Sequence, residues 1–215
     1  MDFSFLSEYW PQFMHGAWLT LQLSFFGVLF GTALGIVIAL LRISKIGIVR
    51  FIATVYIEIV RGTPMLVQIV IIYYGLTNFG INLPGFTSGV IALSLNSAAY
   101  MAEVFRAGID AIDKGQNEAA RSLGMTHGMA LRHIILPQAF RNMLPAIGNE
   151  FIVIIKDSSL VSTIGIAELM YRTDTIRNSI YLPLEPLLVA AAVYFVMTFT
   201  LSKLLGALER KLKTQ

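Results

Sequence analysis

The sequence contains no cysteine and is poor in charged residues. Of its 215 residues, 13% are charged and 56% are hydrophobic, and the formal net charge is only +3. Without cysteine the chain has no disulfide bond, thiolate metal site or cysteine nucleophile. A soluble domain usually carries about 25% charged residues. The much lower charge content, together with a mean hydropathy of +0.70, is typical of a membrane protein.

Motifs for catalysis, nucleotide binding and metal binding are also missing. No G-x-x-x-x-G-K-[ST] phosphate loop occurs, so the chain does not supply a nucleotide site of that kind. The histidines His15, His127 and His133 do not have the spacing of metal ligands, and no Ser/His/Asp or paired-carboxylate arrangement is present. We therefore expect no metal, no other cofactor, no covalent catalysis and no nucleic-acid partner for this chain.

Long apolar segments predict an all-α integral membrane protein. A helix needs about 20 mainly apolar residues to cross the hydrocarbon core of a bilayer, and residues 16–41 carry no charge. Pro64 interrupts the second segment, and Pro145 and Glu150 interrupt the fourth. Residues 1–13 lack the basic region of a secretory signal, so we expect the first segment to be retained. We predict about five spans within a single domain, 1–215: residues 16–41, 51–76, 89–108, 139–158 and 183–206.

Three glycines in the first segment recur every four residues. Gly27, Gly31 and Gly35 fall on one face of a helix at this spacing. Small residues let the backbone of a second membrane helix approach closely. The pattern therefore predicts that another helix packs against this face.

The distribution of basic residues predicts the orientation of the chain. Cytoplasmic loops of membrane proteins carry an excess of lysine and arginine. The N-terminal segment and the loop 77–88 contain neither residue, so we expect both to lie outside and the C-terminus to be cytoplasmic. With five crossings, nine basic residues fall on the cytoplasmic side: Arg42, Lys45, Arg50, Lys114, Arg121, Arg132, Arg210, Lys211 and Lys213.

A hydrophilic loop, approximately 114–137, separates the third and fourth segments. Residues 117–125 predict a short helix that Gly124 terminates, because glycine tolerates the left-handed conformation at a helix end. Thr126 or His127 can cap a second short helix, and Pro137 restricts the return into the membrane. From spacing alone, a docking element and a solvated surface helix are equally good interpretations of this loop.

The loop resembles a known signature. The spacing E-A-A-x3-G-x9-I-x-L-P is similar to that of permease subunits of ABC importers with the type I importer fold. Four further stretches resemble the polar amino acid branch of that family, which imports histidine, arginine, lysine, glutamine or glutamate: residues 58–64, 99–109, 148–151 and 156–160. The signature is matched by Glu118, Ala119, Ala120, Gly124, Ile134, Leu136 and Pro137.

The resemblance implies a multi-subunit transporter in a bacterial or archaeal cytoplasmic membrane. Two permease subunits, identical or paralogous, would form the pathway. Two separate ATP-binding subunits would bind ATP–Mg and drive the pathway from the cytoplasm. In the family the loop is a coupling helix that docks in a groove of the ATP-hydrolysing subunit, and an external binding protein delivers the amino acid.

Two pairs of oppositely charged residues lie three positions apart. Glu58 and Arg61 share one helix face, as do Glu103 and Arg106. A charge inside hydrocarbon is costly unless it is paired or faces water. We interpret both pairs as local structural ion pairs rather than as substrate ligands.

Glu150 has no basic residue three or four positions away in the fourth segment. It therefore has a partner on another helix or faces a wet cavity, where it would bind the cationic group of an amino acid. Asn149, Asn96 and Tyr100 are candidates to complete a polar substrate pocket. For Asp157 and Ser158, at the outer end of the fourth segment, three interpretations stay open: substrate binding, an outer gate, or closure of a helix terminus.

The function that we predict is ATP-driven import of polar, preferably basic, amino acids by alternating access. Glu150 favours a basic substrate, although a glutamine carrier would use the same carboxylate for the α-ammonium group. One alternative is an ion-coupled secondary transporter, which usually shows inverted repeats and more helices. Another is a membrane-embedded enzyme that uses Glu58, Glu103 and Glu150 as acid–base groups.

Overall fold

The structure is a computed structural model that describes residues 1–213 and the side chains of residues 1–211. All regular secondary structure in the described residues is helical, which confirms the predicted all-α fold. The side chain of Lys213, used above for the orientation, lies outside the described residues. Along the described chain the α-helices are α1 (Leu6–Arg42), α2 (Gly47–Gly62), α3 (Met65–Asn78), α4 (Gly85–Asp110), α5 (Lys114–Ser122), α6 (His127–Ala130), α7 (Leu136–Asp157), α8 (Leu169–Ile180) and α9 (Glu185–Lys213).

Two helices of the described chain, α1 and α9, are long and apolar enough to cross a membrane. Helices α2 and α3 together meet the same criterion as one bent span. Helices α4 and α7, with 26 and 22 residues, match the third and fourth predicted segments but carry more polar residues. The total of about five crossings therefore stays a prediction.

The second predicted segment is two helices instead of one. Helices α2 and α3 meet at an angle of 113°. Thr63 and Pro64, between them, both have extended backbone conformations. Proline disfavours the α-helical conformation in the residue before it and has no N–H for the helical hydrogen-bond ladder. The chain therefore turns sharply at Pro64, and α3 does not continue the axis of α2.

Helix α4 is the centre of the bundle and packs against α1, α2, α3 and α7. The predicted glycine face of α1 makes the closest of these approaches. A Cβ atom added to Gly31 would lie 2.6 Å from Ser97 Cβ, and one added to Gly35 would lie 2.5 Å from Met101 Cβ. The sequence-based prediction of close helix packing at this face is thereby confirmed.

Glu168 joins α8, α9 and α1 through its hydrogen bonds. It caps α8 by accepting a hydrogen bond from the Tyr171 N–H at 2.8 Å. It also accepts hydrogen bonds from the hydroxyl of Tyr194 in α9 at 2.9 Å and from that of Thr20 in α1 at 3.3 Å. Because Glu168 is completely buried, these bonds replace the water that its carboxylate loses on folding.

Candidate functional site

A polar cavity of about 320 Å³ lies between the α2–α3 break, α4 and α7. It falls within the usual volume range of small-molecule sites, roughly 300–1,000 Å³. Five of the six residues that the sequence analysis selected as a substrate pocket line it. The lining residues are Thr63, Met65, Asn96, Tyr100, Asn149, Glu150, Val153 and Asp157.

Helix periodicity explains why these residues meet. Asn96 and Tyr100 are four residues apart on α4, so they lie on one face of that helix. On α7, Glu150 and Asp157 are seven residues apart, close to two helical turns, and also share a face. Since α4 packs against α7, the two polar faces can form opposite walls of one cavity.

Glu150 is the most buried carboxylate of the cavity, with 8% of its surface exposed. The Ser97 hydroxyl lies beside it, and Asp157 adds a second negative charge. In the described part of the chain no lysine, arginine or histidine forms an ion pair with Glu150. A buried carboxylate without a cation is the arrangement expected of a group that binds a cationic ligand.

Gln68 holds the α2–α3 break and one wall of the cavity together. Its side-chain amide donates hydrogen bonds to the carbonyl oxygens of Val60, at 2.7 Å, and Thr63, at 3.0 Å. Its carbonyl oxygen accepts a hydrogen bond from the Asn96 side chain at 2.9 Å. Gln68 was not among the residues predicted from the sequence, although a glutamine four positions after Pro64 in an apolar helix was the available signal.

The predicted Glu58–Arg61 ion pair does not form among the described residues. Arg61 instead places its guanidinium group over the ring of Tyr100, 5.6 Å from the ring centroid. Both charged residues are exposed, so water solvates them and little is gained by pairing. The broken helix brings Arg61 beside α4, a contact that spacing along the sequence does not reveal.

The predicted Glu103–Arg106 ion pair is present, and it belongs to a larger cluster. Arg106 Nη2 lies 2.9 Å from Glu103 Oε2, and Arg106 Nη1 lies 2.8 Å from Asp110 Oδ2. Arg42, the last residue of α1, also pairs with Glu103. The cluster therefore ties the C-terminal ends of α1 and α4 together.

Ser158 does not line the cavity. It is fully buried just after the end of α7, and its hydroxyl donates a hydrogen bond to the carbonyl oxygen of Ile155 at 2.8 Å. Of the three interpretations given above for Ser158, this geometry fits closure of the helix terminus. Asp157, one residue earlier, is in the cavity wall.

The loop between α4 and α7 forms two short helices, α5 and α6. Gly124 separates them with φ +84°, in the left-handed region that the sequence predicted for it. The Thr126 side chain caps α6 by accepting a hydrogen bond from the Met129 N–H at 3.3 Å. A π-helical turn, Leu131–Ile135, follows.

The surface of this loop combines exposed and buried signature residues. Glu118, Ala119 and Gly124 are exposed, whereas Ala120 is buried. Leu123, which the sequence analysis did not select, is 85% exposed.

The helical bundle, the polar cavity between its helices and the structured loop are features expected of a membrane transporter subunit. Residues 31–214 match the family described as "Binding-protein-dependent transport system inner membrane component". The chain is 42% identical over 215 residues to the arginine transport system permease protein ArtQ of Bacillus subtilis (strain 168), covering 100% of this chain and 98% of ArtQ. It is 36% identical to the probable glutamine ABC transporter permease protein GlnM of the same organism, covering 99% of each.

Two solved structures are also similar to this chain. One, described as "Crystal structure of an amino acid ABC transporter with histidines", is 53% identical and covers 98% of this chain and 99% of its own, with a TM-score of 0.95. An inward-facing structure of the MetNI methionine ABC transporter covers 99% of each chain at 18% identity and a TM-score of 0.81, which supports the fold alone.

The chain belongs to the binding-protein-dependent transport system inner membrane component family. It has the type I ABC importer permease fold. It is an amino acid ABC transporter permease subunit and not an enzyme. The resemblance to permease subunits of ABC importers, which the loop signature indicated, is thereby confirmed.

Proposed function

We propose that this subunit imports basic amino acids by alternating access, and that the cavity between α4 and α7 is part of the substrate path. The observation that carries the proposal is the pair of carboxylates, Glu150 and Asp157, in a cavity whose lining contains no cation. Asn96, Asn149 and Tyr100 add neutral hydrogen-bonding groups to the same walls. A cationic side chain or an ammonium group is the ligand that such a lining favours.

The loop 114–137 would couple this subunit to its motor. We expect the exposed face around Glu118 and Leu123 to dock against an ATP-binding subunit. Two such subunits would bind ATP–Mg, and this chain would pair with a second permease subunit, identical or paralogous. An external binding protein would deliver the amino acid. In this arrangement the N-terminus lies outside and the C-terminus lies in the cytoplasm.

The proposal is tested by ATP-dependent uptake in proteoliposomes that contain the assembled transporter. For Glu150→Gln we expect arginine uptake to fall about 10-fold or more, because hydrogen bonds to charged groups contribute about 1.5–3 kcal/mol. Histidine uptake should fall in the same way below about pH 6, where its imidazole is protonated. Glutamine uptake should change by less than about 3-fold, since its neutral side chain needs no ionic partner and Asp157 stays in the lining to bind its α-ammonium group. Glu58→Gln, which removes an exposed carboxylate outside the cavity lining, is the matched control.

Two outcomes would contradict the proposal. Unchanged uptake of all three amino acids by Glu150→Gln would mean that this cavity does not select the substrate and that the external binding protein does. Uptake that follows an ion gradient in the absence of ATP would favour the ion-coupled secondary transporter.

A further inference from the structure

The lining of the cavity leaves one part of an amino acid without a partner. Every amino acid carries an α-carboxylate as well as an α-ammonium group. The charged residues in the lining, Glu150 and Asp157, are both acidic. They would attract the ammonium group and repel the carboxylate, and this repulsion is strong where water is scarce. A cation close to the cavity would offset this repulsion and allow a whole amino acid to bind.

Arg61 is placed to supply that cation. Its guanidinium carbon lies 5.6 Å from the ring centroid of Tyr100, and Tyr100 lines the cavity. The nearest acidic residue on its own helix face, Glu58, does not pair with it, and no other described carboxylate forms an ion pair with it. A planar guanidinium group above an aromatic ring keeps the N–H groups at its edge available for a carboxylate.

The helix break fixes the position of Arg61 relative to the cavity. Arg61 is the second-last residue of α2, and Thr63 and Met65, two and four positions later, both line the cavity. Gln68 holds this break through its hydrogen bonds to Val60 and Thr63. In other membrane transporters, interrupted helices likewise place charged and dipolar groups beside the substrate.

We propose that Arg61 binds the α-carboxylate of the transported amino acid, with Tyr100 as the aromatic surface that orients the guanidinium group. Glu150 and Asp157 on α7 then bind the cationic groups. The bound amino acid thus has one defined orientation, with its carboxylate at the α2–α3 break and its cationic groups at α7. This assignment presupposes that the cavity takes an amino acid, as proposed above.

The test measures binding of arginine and of agmatine, its decarboxylated analogue, to the assembled transporter in detergent. Agmatine keeps the guanidinium group and lacks the carboxylate, so it reports on every contact except the one assigned to Arg61. We expect the unmodified transporter to prefer arginine. Arg61→Met should weaken arginine binding about 10- to 100-fold and change agmatine binding less than about 3-fold, because only the charge-assisted contact is lost.

Two further variants complete the design. Arg61→Lys keeps the positive charge but lacks the planar guanidinium group, so it should retain part of the preference for arginine. It replaces Arg61→Met in the test if the Arg61→Met transporter does not assemble. Arg50→Met removes an exposed arginine near the other end of α2, outside the cavity lining, and should leave the preference unchanged.

The results separate this inference from the proposed function. If Arg61→Met weakens arginine and agmatine equally or changes neither, or if Arg61→Lys weakens both equally, Arg61 does not bind the carboxylate. In that case arginine binding that still depends on Glu150 leaves the proposed function standing. If the unmodified transporter binds neither ligand, the proposed function fails and the assignment of Arg61 fails with it.

Discussion

Replacement of Gln68 by methionine tests whether the α2–α3 break depends on a side chain. Methionine has nearly the same length and shape, so the substitution mainly removes the polar atoms. The carbonyl oxygen of Val60, which accepts a 2.7 Å hydrogen bond in a partly buried position, would lose its side-chain partner. An unsatisfied buried acceptor costs about 1–3 kcal/mol. The bonds to Thr63 are exposed, so their loss costs less.

Together these losses predict a destabilisation of about 2–3 kcal/mol. For a chain of this size that corresponds to a decrease of roughly 4–12 °C in the melting temperature, measured on the assembled transporter in detergent. Uptake should also fall, because Asn96 loses the hydrogen bond from its side chain to Gln68 and its position in the cavity wall becomes less defined.

The matched control is Gln22→Met. Gln22 lies in α1, also a largely apolar helix, and among the described residues its side chain makes no hydrogen bond in the structure. We expect its replacement to shift the melting temperature by less than about 2 °C, as is usual for a residue without specific contacts. Equal shifts for the two variants would show that the hydrogen bonds of Gln68 contribute nothing to stability.

Two further predictions concern the packing of α1 and the loop surface. Gly31→Ala should lower the melting temperature through a destabilisation of about 1–3 kcal/mol, because the new Cβ would lie 2.6 Å from Ser97 Cβ. Gly75→Ala is the control and should not lower it, since no atom lies within 4 Å of the added Cβ. A similar decrease for Gly75→Ala would contradict the explanation by close packing. Leu123→Asp should reduce co-purification of the ATP-binding subunit without lowering the melting temperature, since Leu123 is 85% exposed; undiminished assembly would exclude this residue from the docking surface.

Local features of the structure were predictable from the sequence where a short pattern determines the conformation. Gly124 ends a helical stretch in the left-handed region, and Thr126 caps the next helix, because both effects depend only on neighbouring backbone atoms. The glycine face of α1 was also predictable, although the sequence did not show which helix packs against it. The cavity residues on α4 and α7 could be selected because polar residues at helical spacing within apolar segments are rare.

Long-range relations could not be predicted in the same way. Arg61 is close in sequence to Glu58, yet its observed neighbour, Tyr100, is 39 positions away in another helix. The role of Gln68 depends on the direction in which the chain leaves Pro64, which proline permits but does not determine. The hydrogen bonds from Thr20 and Tyr194 to Glu168 join residues 148 and 26 positions apart, and no sequence pattern indicates them.

The order of the helices suggests how events in the loop would reach the cavity. The loop 114–137 lies between α4 and α7 in the chain, and these are the two helices that carry most of the cavity lining. A displacement of the loop by an ATP-binding subunit would therefore act on both walls at once. The third wall, at the α2–α3 break, is joined to α4 by the hydrogen bond between Gln68 and Asn96. If this bond persists, a shift of α4 would move the α2–α3 break as well, so the bond would couple the third wall to any movement of the loop.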